Sequence, residues 1–169
     1  MTRAKPIDEA TAQSLRDNLR YEPDTGLFWW VVGGFNRDLS KPAGTLNDQG
    51  YLRVSFKGRT YRLHRLAYLL MGLPIPDYVD HINGVKTENR WENLRPATDS
   101  QNKCNTSVSG RNTSGFKGVS WHKASGKYCP HIRFNGQRYH LGSFDCPEEA
   151  HEAYKKAADK YHGEFKNYG

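Results

Sequence analysis

Short apolar runs, each ended by a turn signal, follow one another along the whole of this chain. The turns stand at Pro23-Asp24-Thr25-Gly26, Gly58-Arg59, Asn83-Gly84 and Asn135-Gly136. Only 36% of the 169 residues are hydrophobic and the mean hydropathy is −0.86, which is low for one large, well-filled core. The sequence therefore predicts several small modules of the α+β class.

Membrane and disulfide-rich classes are not supported. No run approaches the roughly 18 apolar residues of a membrane span, and the start of the chain has no apolar stretch of signal-peptide length. We expect a soluble, cytoplasmic protein that makes no membrane contact. Cys104, Cys129 and Cys146 form no CxxC pair, which argues against a disulfide framework and a four-cysteine zinc site. A mixed zinc site with histidines stays open, although no zinc-finger spacing is present.

Positive charge is concentrated in one stretch. The chain has a net charge of +7, and residues 100–144 contain no Asp or Glu but seven Lys or Arg. A solvated surface normally mixes both signs, so a long acid-free basic stretch favours a polyanionic partner, most commonly nucleic acid. A protein that is merely basic is the alternative that composition leaves open.

The N-terminal part predicts a helix, a strand, a hairpin and a second helix. Residues 8–20 have helical spacing, and residues 27–32 form an apolar strand. Leu52, Val54 and Phe56 alternate with polar residues, and Tyr61 and Leu63 resume the alternation after the turn, which predicts a hairpin with one buried face. A short helix is expected over residues 64–71.

A dense group of polar residues follows. Residues 78–82 and 93–95 predict two short strands joined by a loop. Thr98 and Gln101 have the spacing of a capping box, which predicts that a helix begins at Asp99. The expected order is strand, loop, strand, helix.

The C-terminal part predicts three strands and one helix. Residues 106–115, rich in Ser, Thr and Gly, are the best linker. All six acidic residues after position 110 lie from Asp145 onward, so the positive charge belongs to the strands, and we expect the sheet rather than the helix to face DNA. The strand-like runs are residues 118–122, 128–134 and 138–142, and an amphipathic helix runs from Pro147 to Gly163.

Asp80 and His81, in the first strand of the polar group, suit phosphodiester hydrolysis. That reaction needs a base that makes water nucleophilic and a divalent cation that stabilises the developing charge. Mg²⁺ prefers oxygen ligands, so one carboxylate and one amide oxygen suffice when a substrate phosphate completes its shell. Taken alone the Asp-His pair is weak support, and a purely structural histidine is the alternative.

The longer string DHINGVKTENRWENLRPATDSQNKCN, which begins at Asp80, resembles the HNH nuclease motif of homing endonucleases. The preceding segment from His64 resembles the same family. The resemblance implies a ββα-metal core over about residues 78–106 that wraps one metal ion, Mg²⁺, for which Mn²⁺ is expected to substitute. It implies that Asp80 and Asn102 are metal ligands and that His81 is the general base. Asn93 matches the middle asparagine of the catalytic motif, which braces the loop by hydrogen bonds to its backbone. Asn89 matches as a further loop brace and Leu94 as a core residue.

The segment from Gly115 to Asn167 resembles the DNA-binding domain of plant ethylene-response factors, the Apetala type. That family lays a three-stranded sheet in the major groove and packs a helix behind it. Ser120 and His140 depart from the plant pattern, so base preference does not transfer, and we expect Trp121 and Phe144 to lie in the core. The resemblance implies DNA contacts by Lys117, His122, Lys127, Arg133, Arg138 and His140, of which Arg133 is the best candidate for reading a guanine.

Together these features predict a metal-dependent HNH DNA endonuclease of the homing type, free-standing and phage-like. We expect it to act as a monomer, without a protein partner, and to nick one strand of double-stranded DNA. If it is phage-encoded, it acts in the cytoplasm of the host. The expected domains are residues 1–106 and 115–169, joined by residues 107–114. The alternatives are a sequence-specific DNA-binding regulator with an inactive HNH scaffold and an RNA-binding module.

Overall fold

The computed structural model describes residues 6–35, 37–106 and 108–169. Within these residues the chain has four α-helices and four small antiparallel sheets, in agreement with the predicted α+β class. The chain divides into two compact units, residues 1–97 and 98–169. The limits at residues 106 and 115, expected from the sequence for a nuclease domain and a DNA-binding domain, remain a prediction.

The first unit opens with a capped helix and a hairpin. Helix α1 covers Glu9–Asn18, and the side chain of Asp8 accepts a hydrogen bond from the Thr11 amide at its N-terminus. Strands β1 (Leu19–Glu22) and β2 (Leu27–Trp30) pair antiparallel. The strand predicted over residues 27–32 is therefore two residues shorter, because the chain leaves the pairing where the next two valines become exposed.

A second sheet and a helix complete the core of this unit. Strands β3 (Thr45–Leu46), β4 (Leu52–Phe56) and β5 (Arg59–Arg62) form the sheet, and helix α2 (Leu63–Leu70) follows β5 directly. Leu63, predicted to continue the hairpin, instead begins the helix, where its side chain is fully buried. The buried apolar faces of α1, α2 and the sheets meet in one cluster, so short elements share a single core.

The last sheet of the first unit carries the polar string. Strand β6 (Tyr78–His81) pairs antiparallel with β7 (Leu94–Ala97), and a single turn of 3₁₀ helix, Trp91–Asn93, precedes β7. The second strand was predicted over residues 93–95, and it lies one to two residues further on. Leu94 is buried in the core, as predicted.

The second unit begins with helix α3 (Asp99–Cys104), and the predicted capping box is present. The Thr98 hydroxyl accepts from the Gln101 amide at 3.2 Å, while the Gln101 side chain accepts from the Thr98 amide at 2.8 Å. Within the segment predicted as a linker, the Asn112 side chain bonds the backbone of Ser114, Gly115 and Phe116.

A three-stranded antiparallel sheet with a helix packed against it forms the rest of the second unit. The strands are β8 (Val119–His122), β9 (Lys127–Phe134) and β10 (Gln137–His140), in the order β10-β9-β8. Helix α4 covers Pro147–His162 and ends at Gly163, as predicted. Ile132 of β9 packs with Tyr154, Ala157 and Ala158 of α4 in the core of this unit.

The prediction that Trp121 lies in this core is wrong. Its side chain is 43% exposed and lies outside the core cluster of this unit, and its ring packs edge-on against Tyr128 of the neighbouring strand at a ring distance of 4.7 Å. Phe144 is half-buried and forms a β-bridge with Tyr128. Among the described residues, no helix is long and apolar enough to cross a membrane.

Candidate active site

Strand β6 places Asp80 and His81 side by side in the first unit, each only 4% exposed. The register of the sheet sets Asp80 opposite Arg95. Both Nε and Nη2 of Arg95 donate to Oδ2 of Asp80, at 2.9 and 2.8 Å. The predicted metal-binding carboxylate is therefore held in a buried, charge-assisted pair with an arginine.

The ring of His81 is oriented by Asn89. Nε2 of His81 lies 3.1 Å from Oδ1 of Asn89. A carboxamide oxygen only accepts hydrogen bonds, so in the neutral imidazole Nε2 carries the proton and Nδ1 is the basic nitrogen. Burial lowers the pKa of His81, although the Asn89 hydrogen bond and the Asp80 carboxylate raise it in part. The imidazole is thus neutral at pH 7, as a general base must be.

The first hairpin holds Asn89 in place. The Tyr21 hydroxyl donates to the Asn89 carbonyl at 2.7 Å, and the Trp91 amide donates to the Pro23 carbonyl at 2.9 Å. Gly26, with φ +74°, lies so close to the backbone of Asn89 and Arg90 that a Cβ there would approach within 2.4 Å. The turn of a distant hairpin therefore fixes the loop that orients His81.

Asn93 makes the contacts expected of a loop brace. Its Oδ1 accepts from the Asn83 amide at 3.0 Å, and its Nδ2 donates to the Glu88 carbonyl at 2.8 Å. The two bonds tie the start and the middle of the loop between β6 and β7 to one buried side chain. Asp80, His81 and Asn93 thus meet at this sheet.

Two buried aromatic rings line the other side of His81. Its ring centroid lies 5.1 Å from that of His64 and 6.0 Å from that of Tyr51. Burial holds the pKa of His64 well below its usual range, and its Nδ1 is buried without a hydrogen-bond partner among the described residues. Both rings beside the candidate base are therefore neutral and buried.

Asn102, the second predicted metal ligand, lies on α3 in the second unit. No group of three or more His, Cys, Asp or Glu side chains among the described residues is placed to hold a metal ion. The ligand set of one carboxylate and one amide oxygen remains a prediction from the sequence. Such hard oxygen donors suit Mg²⁺, which keeps several waters when protein ligands are few.

Five of the six predicted DNA contacts share one face of the second unit's sheet. Cross-strand pairing sets His122 opposite Lys127, Arg138 opposite Arg133, and His140 opposite His131. These positions alternate with Ile132, which faces α4, so they lie on the side away from the helix. We call this the outer face, defined by His122, Lys127, His131, Arg133, Arg138 and His140.

Lys117, the sixth predicted contact, precedes β8 and lies apart from the outer face strands. Its ammonium donates to the Cys104 carbonyl at 2.9 Å, and its side chain is partly buried. Burial lowers the pKa of Lys117 to about 8. It lines a cavity of about 400 Å³ in the second unit together with residues of α3 and β9.

Sequence reasoning missed two residues of these sites and one contact of a third. Arg95 was not singled out, because only the register of β6 and β7 reveals its pairing with Asp80. Asn89 was predicted as a loop brace, and its bond to His81 crosses a loop that the sequence does not describe. His131 could have been found, since it stands two residues before Arg133 on the same strand and must share its face.

Comparison with known proteins agrees with the polar string. A family described as HNH endonuclease matches residues 61–104. An uncharacterized HNH endonuclease of Acanthamoeba polyphaga mimivirus is 33% identical over 130 residues, which cover 75% of this chain and 66% of that protein. Protein 3.8 of Escherichia phage T7 is 32% identical over 118 residues, which cover 68% of this chain and 97% of that protein. No solved structure matches.

The chain therefore belongs to the HNH endonuclease family. The family match includes Asp80, His81, Asn93 and Asn102. It stops before the three-stranded sheet of the second unit, so the family match does not describe what that sheet binds.

Proposed function

We propose that this protein is a metal-dependent DNA endonuclease of the homing type, with His81 as its general base. The carrying observation is the 3.1 Å contact between His81 Nε2 and Asn89 Oδ1, which leaves Nδ1 as the basic nitrogen of a buried imidazole. Membership of the HNH endonuclease family and the name of the mimivirus relative support the same reaction.

In this proposal His81 Nδ1 takes a proton from a water as the water oxygen bonds to phosphorus, and the bond from phosphorus to the leaving sugar oxygen breaks. Asp80 and Asn102 would hold Mg²⁺, or Mn²⁺ in its place. The cation, when bound, stabilises the charge on the phosphoryl group and the leaving oxygen. Asn93 keeps the loop around His81 in one conformation.

Double-stranded DNA is the proposed substrate, bound in part by the outer face. Arg133 and Arg138 are cross-strand partners, and like charges directly opposite destabilise a sheet unless an anion neutralises them. All three strands of this sheet lie within the acid-free stretch of the sequence, which suits contact with a phosphate backbone.

A DNA-binding protein with an inert HNH scaffold is the second candidate. The observation that favours it is the Asp80–Arg95 pair, because the carboxylate already has a cationic partner. In that case the protein would bind duplex DNA and leave it whole.

Purified protein and supercoiled plasmid distinguish the two. We expect relaxation of the plasmid in Mg²⁺ and none in chelator. His81→Ala should slow the reaction by roughly 10²–10⁴-fold, the usual contribution of a general base, with DNA affinity nearly unchanged. His151→Ala, at a histidine of helix α4 that is not part of the outer face, is the matched control and should cut at the wild-type rate. Binding without cleavage in either Mg²⁺ or Mn²⁺ would favour the inert scaffold.

A further inference from the structure

Two cationic side chains lie against one buried tyrosine ring of the first unit. The guanidinium carbon of Arg62 is 4.8 Å from the ring centroid of Tyr51, and Nζ of Lys86 is 5.0 Å from it. Arg62 ends strand β5, while Lys86 belongs to the loop between β6 and β7. Residues distant in the sequence are thus brought together on one aromatic surface.

The same two cations share Gln49 as a hydrogen-bond partner. Nη2 of Arg62 donates to the Gln49 side-chain oxygen at 2.6 Å, and Nζ of Lys86 donates to its carbonyl oxygen at 3.0 Å. Gln49 itself lies in a turn fixed by Asn47, whose Oδ1 accepts from the amides of Gln49 and Tyr51 at 3.0 and 2.9 Å. The positions of both cations are therefore set before any ligand arrives.

This pair lies next to the candidate active site. The Tyr51 ring is 5.0 Å from that of His64 and 6.0 Å from that of His81. Burial raises the pKa of Tyr51 and the Arg62 guanidinium lowers it in part, while burial lowers the pKa of His81 and the Lys86 ammonium adds to that decrease. The ring that carries both cations is thus a direct neighbour of the candidate base.

Within the described part of the chain, neither Arg62 nor Lys86 forms an ion pair with a carboxylate. Arg90, on the same loop as Lys86, instead contacts Glu88 and Glu92, and Arg95 contacts Asp80. Two positioned cations without an anionic partner repel each other, and a bound anion would remove that cost.

We propose that Arg62 and Lys86 form a phosphate clamp that binds a backbone phosphate of the DNA beside His81. The guanidinium offers a planar pair of donors and the ammonium a point charge, which together match the two non-bridging oxygens of a phosphodiester. The inference rests on the proposed function, since it places the substrate at the candidate base.

The test compares two double variants of equal charge change. Arg62→Gln/Lys86→Gln removes the clamp. Arg59→Gln/Lys57→Gln removes an arginine that lies 5.6 Å from the buried Tyr61 ring and a lysine 5.5 Å from the Phe56 ring, at the other end of the same hairpin. Each variant is assayed in the full chain for single-turnover plasmid nicking and for the salt dependence of binding to a linear duplex.

We expect the clamp variant to cut roughly 10²-fold more slowly, the usual effect of losing a positioned donor to a transition-state anion. Its plot of log affinity against log salt should be shallower by about one, because the two cations together contact one phosphate. The control variant should match the wild type in both. Lys86→Gln alone, at an exposed side chain, should show about half the change in slope. This single variant tests the clamp even if the double variant does not fold.

Equal behaviour of the clamp and control variants in an active wild-type background would overturn the clamp and leave the endonuclease proposal standing. If the wild type cuts no DNA, the endonuclease proposal fails, and the salt dependence of binding alone then tests whether the clamp binds phosphate. A slope reduced only in the clamp variants supports a phosphate site in a DNA-binding protein, and equal slopes overturn it.

Discussion

At the residue scale, the Asp80–Arg95 pair links the candidate active site to the stability of the fold. Both side chains are largely buried, so removing either partner leaves an uncompensated charge and is expected to cost about 3–5 kcal/mol of stability. A loss of activity in Asp80→Ala would therefore mix unfolding with loss of a metal ligand. His81 and Asn93 are cleaner positions, because neither is the partner of a buried ion pair and the hydrogen bonds given above for both go to neutral groups.

Asn93→Ala should lower both stability and cleavage. It leaves the Asn83 amide and the Glu88 carbonyl without their partner, at a cost of about 1–3 kcal/mol, and releases the loop beside His81. Asn18→Ala also removes two side-chain hydrogen bonds of the first unit, to Ser14 and Arg37, but outside this loop. Urea unfolding and plasmid nicking are the measurements. Equal nicking by both variants would contradict the role given to Asn93.

Lys117 gives the second unit a stability that depends on pH. Its pKa is lowered to about 8 in the folded protein, so between pH 8 and 10.5 the unfolded chain holds more protons and stability rises with pH. Below pH 8 both states are protonated and the cost of burying the charge is full. Lys117→Met removes this cost, so its stability relative to the wild type should fall by about 1–2 kcal/mol from pH 7 to pH 10, after allowance for solvent screening.

Urea unfolding at the two pH values measures that difference. Lys123→Met, at an exposed lysine, is the control. A stability difference between Lys117→Met and the wild type that is the same at pH 7 and pH 10 would mean that burial of the ammonium is not costly.

At the element scale, the turn between β1 and β2 transmits its geometry to the active site. Gly26→Ala would place a Cβ 2.4 Å from the backbone of Arg90 and so displace Asn89. Gly58→Ala has the same φ of +74° with nothing within 4 Å, so it incurs only the backbone strain, about 1 kcal/mol. We expect Gly26→Ala to lose several-fold more nicking activity than Gly58→Ala at a temperature where both are folded. Equal activities would mean that the turn between β1 and β2 does not influence the geometry of the candidate active site.

Elements set by local sequence were predictable, and those set by pairing were not. The capping box at Thr98 and the end of α4 at Gly163 depend on neighbouring residues, and the structure has both. The register that sets Asp80 opposite Arg95 depends on a twelve-residue loop between the strands, for which the sequence offers no geometry. The prediction for Trp121 was wrong because alternation along a strand shows which face of the sheet a side chain lies on. It does not show how far the helix on that face extends.

At the scale of the whole molecule, the outer face should supply part of the affinity for DNA. Arg133→Gln/Arg138→Gln removes two charges from facing positions, so the salt dependence of binding should become shallower by about two. Lys156→Gln/Lys160→Gln removes two charges from exposed positions on α4 and should leave the slope unchanged. Fluorescence anisotropy with one duplex at several salt concentrations measures both. If the helix variant alone weakens binding, the sheet does not face DNA.

The product should be a nick in one strand at a defined position. The 169 residues contain a single HNH string with one Asp-His pair. One such site attacks one phosphodiester, and the two scissile phosphates of a duplex lie on strands of opposite polarity. Cutting both requires a two-fold symmetric dimer or a large reorientation of the enzyme, and a chain that reads an extended asymmetric site needs no palindrome. A duplex labelled on each strand in turn, digested with Mg²⁺ at low protein concentration, should lose one label only. Simultaneous cleavage of both strands with second-order dependence on protein concentration would instead indicate a dimer that makes double-strand breaks.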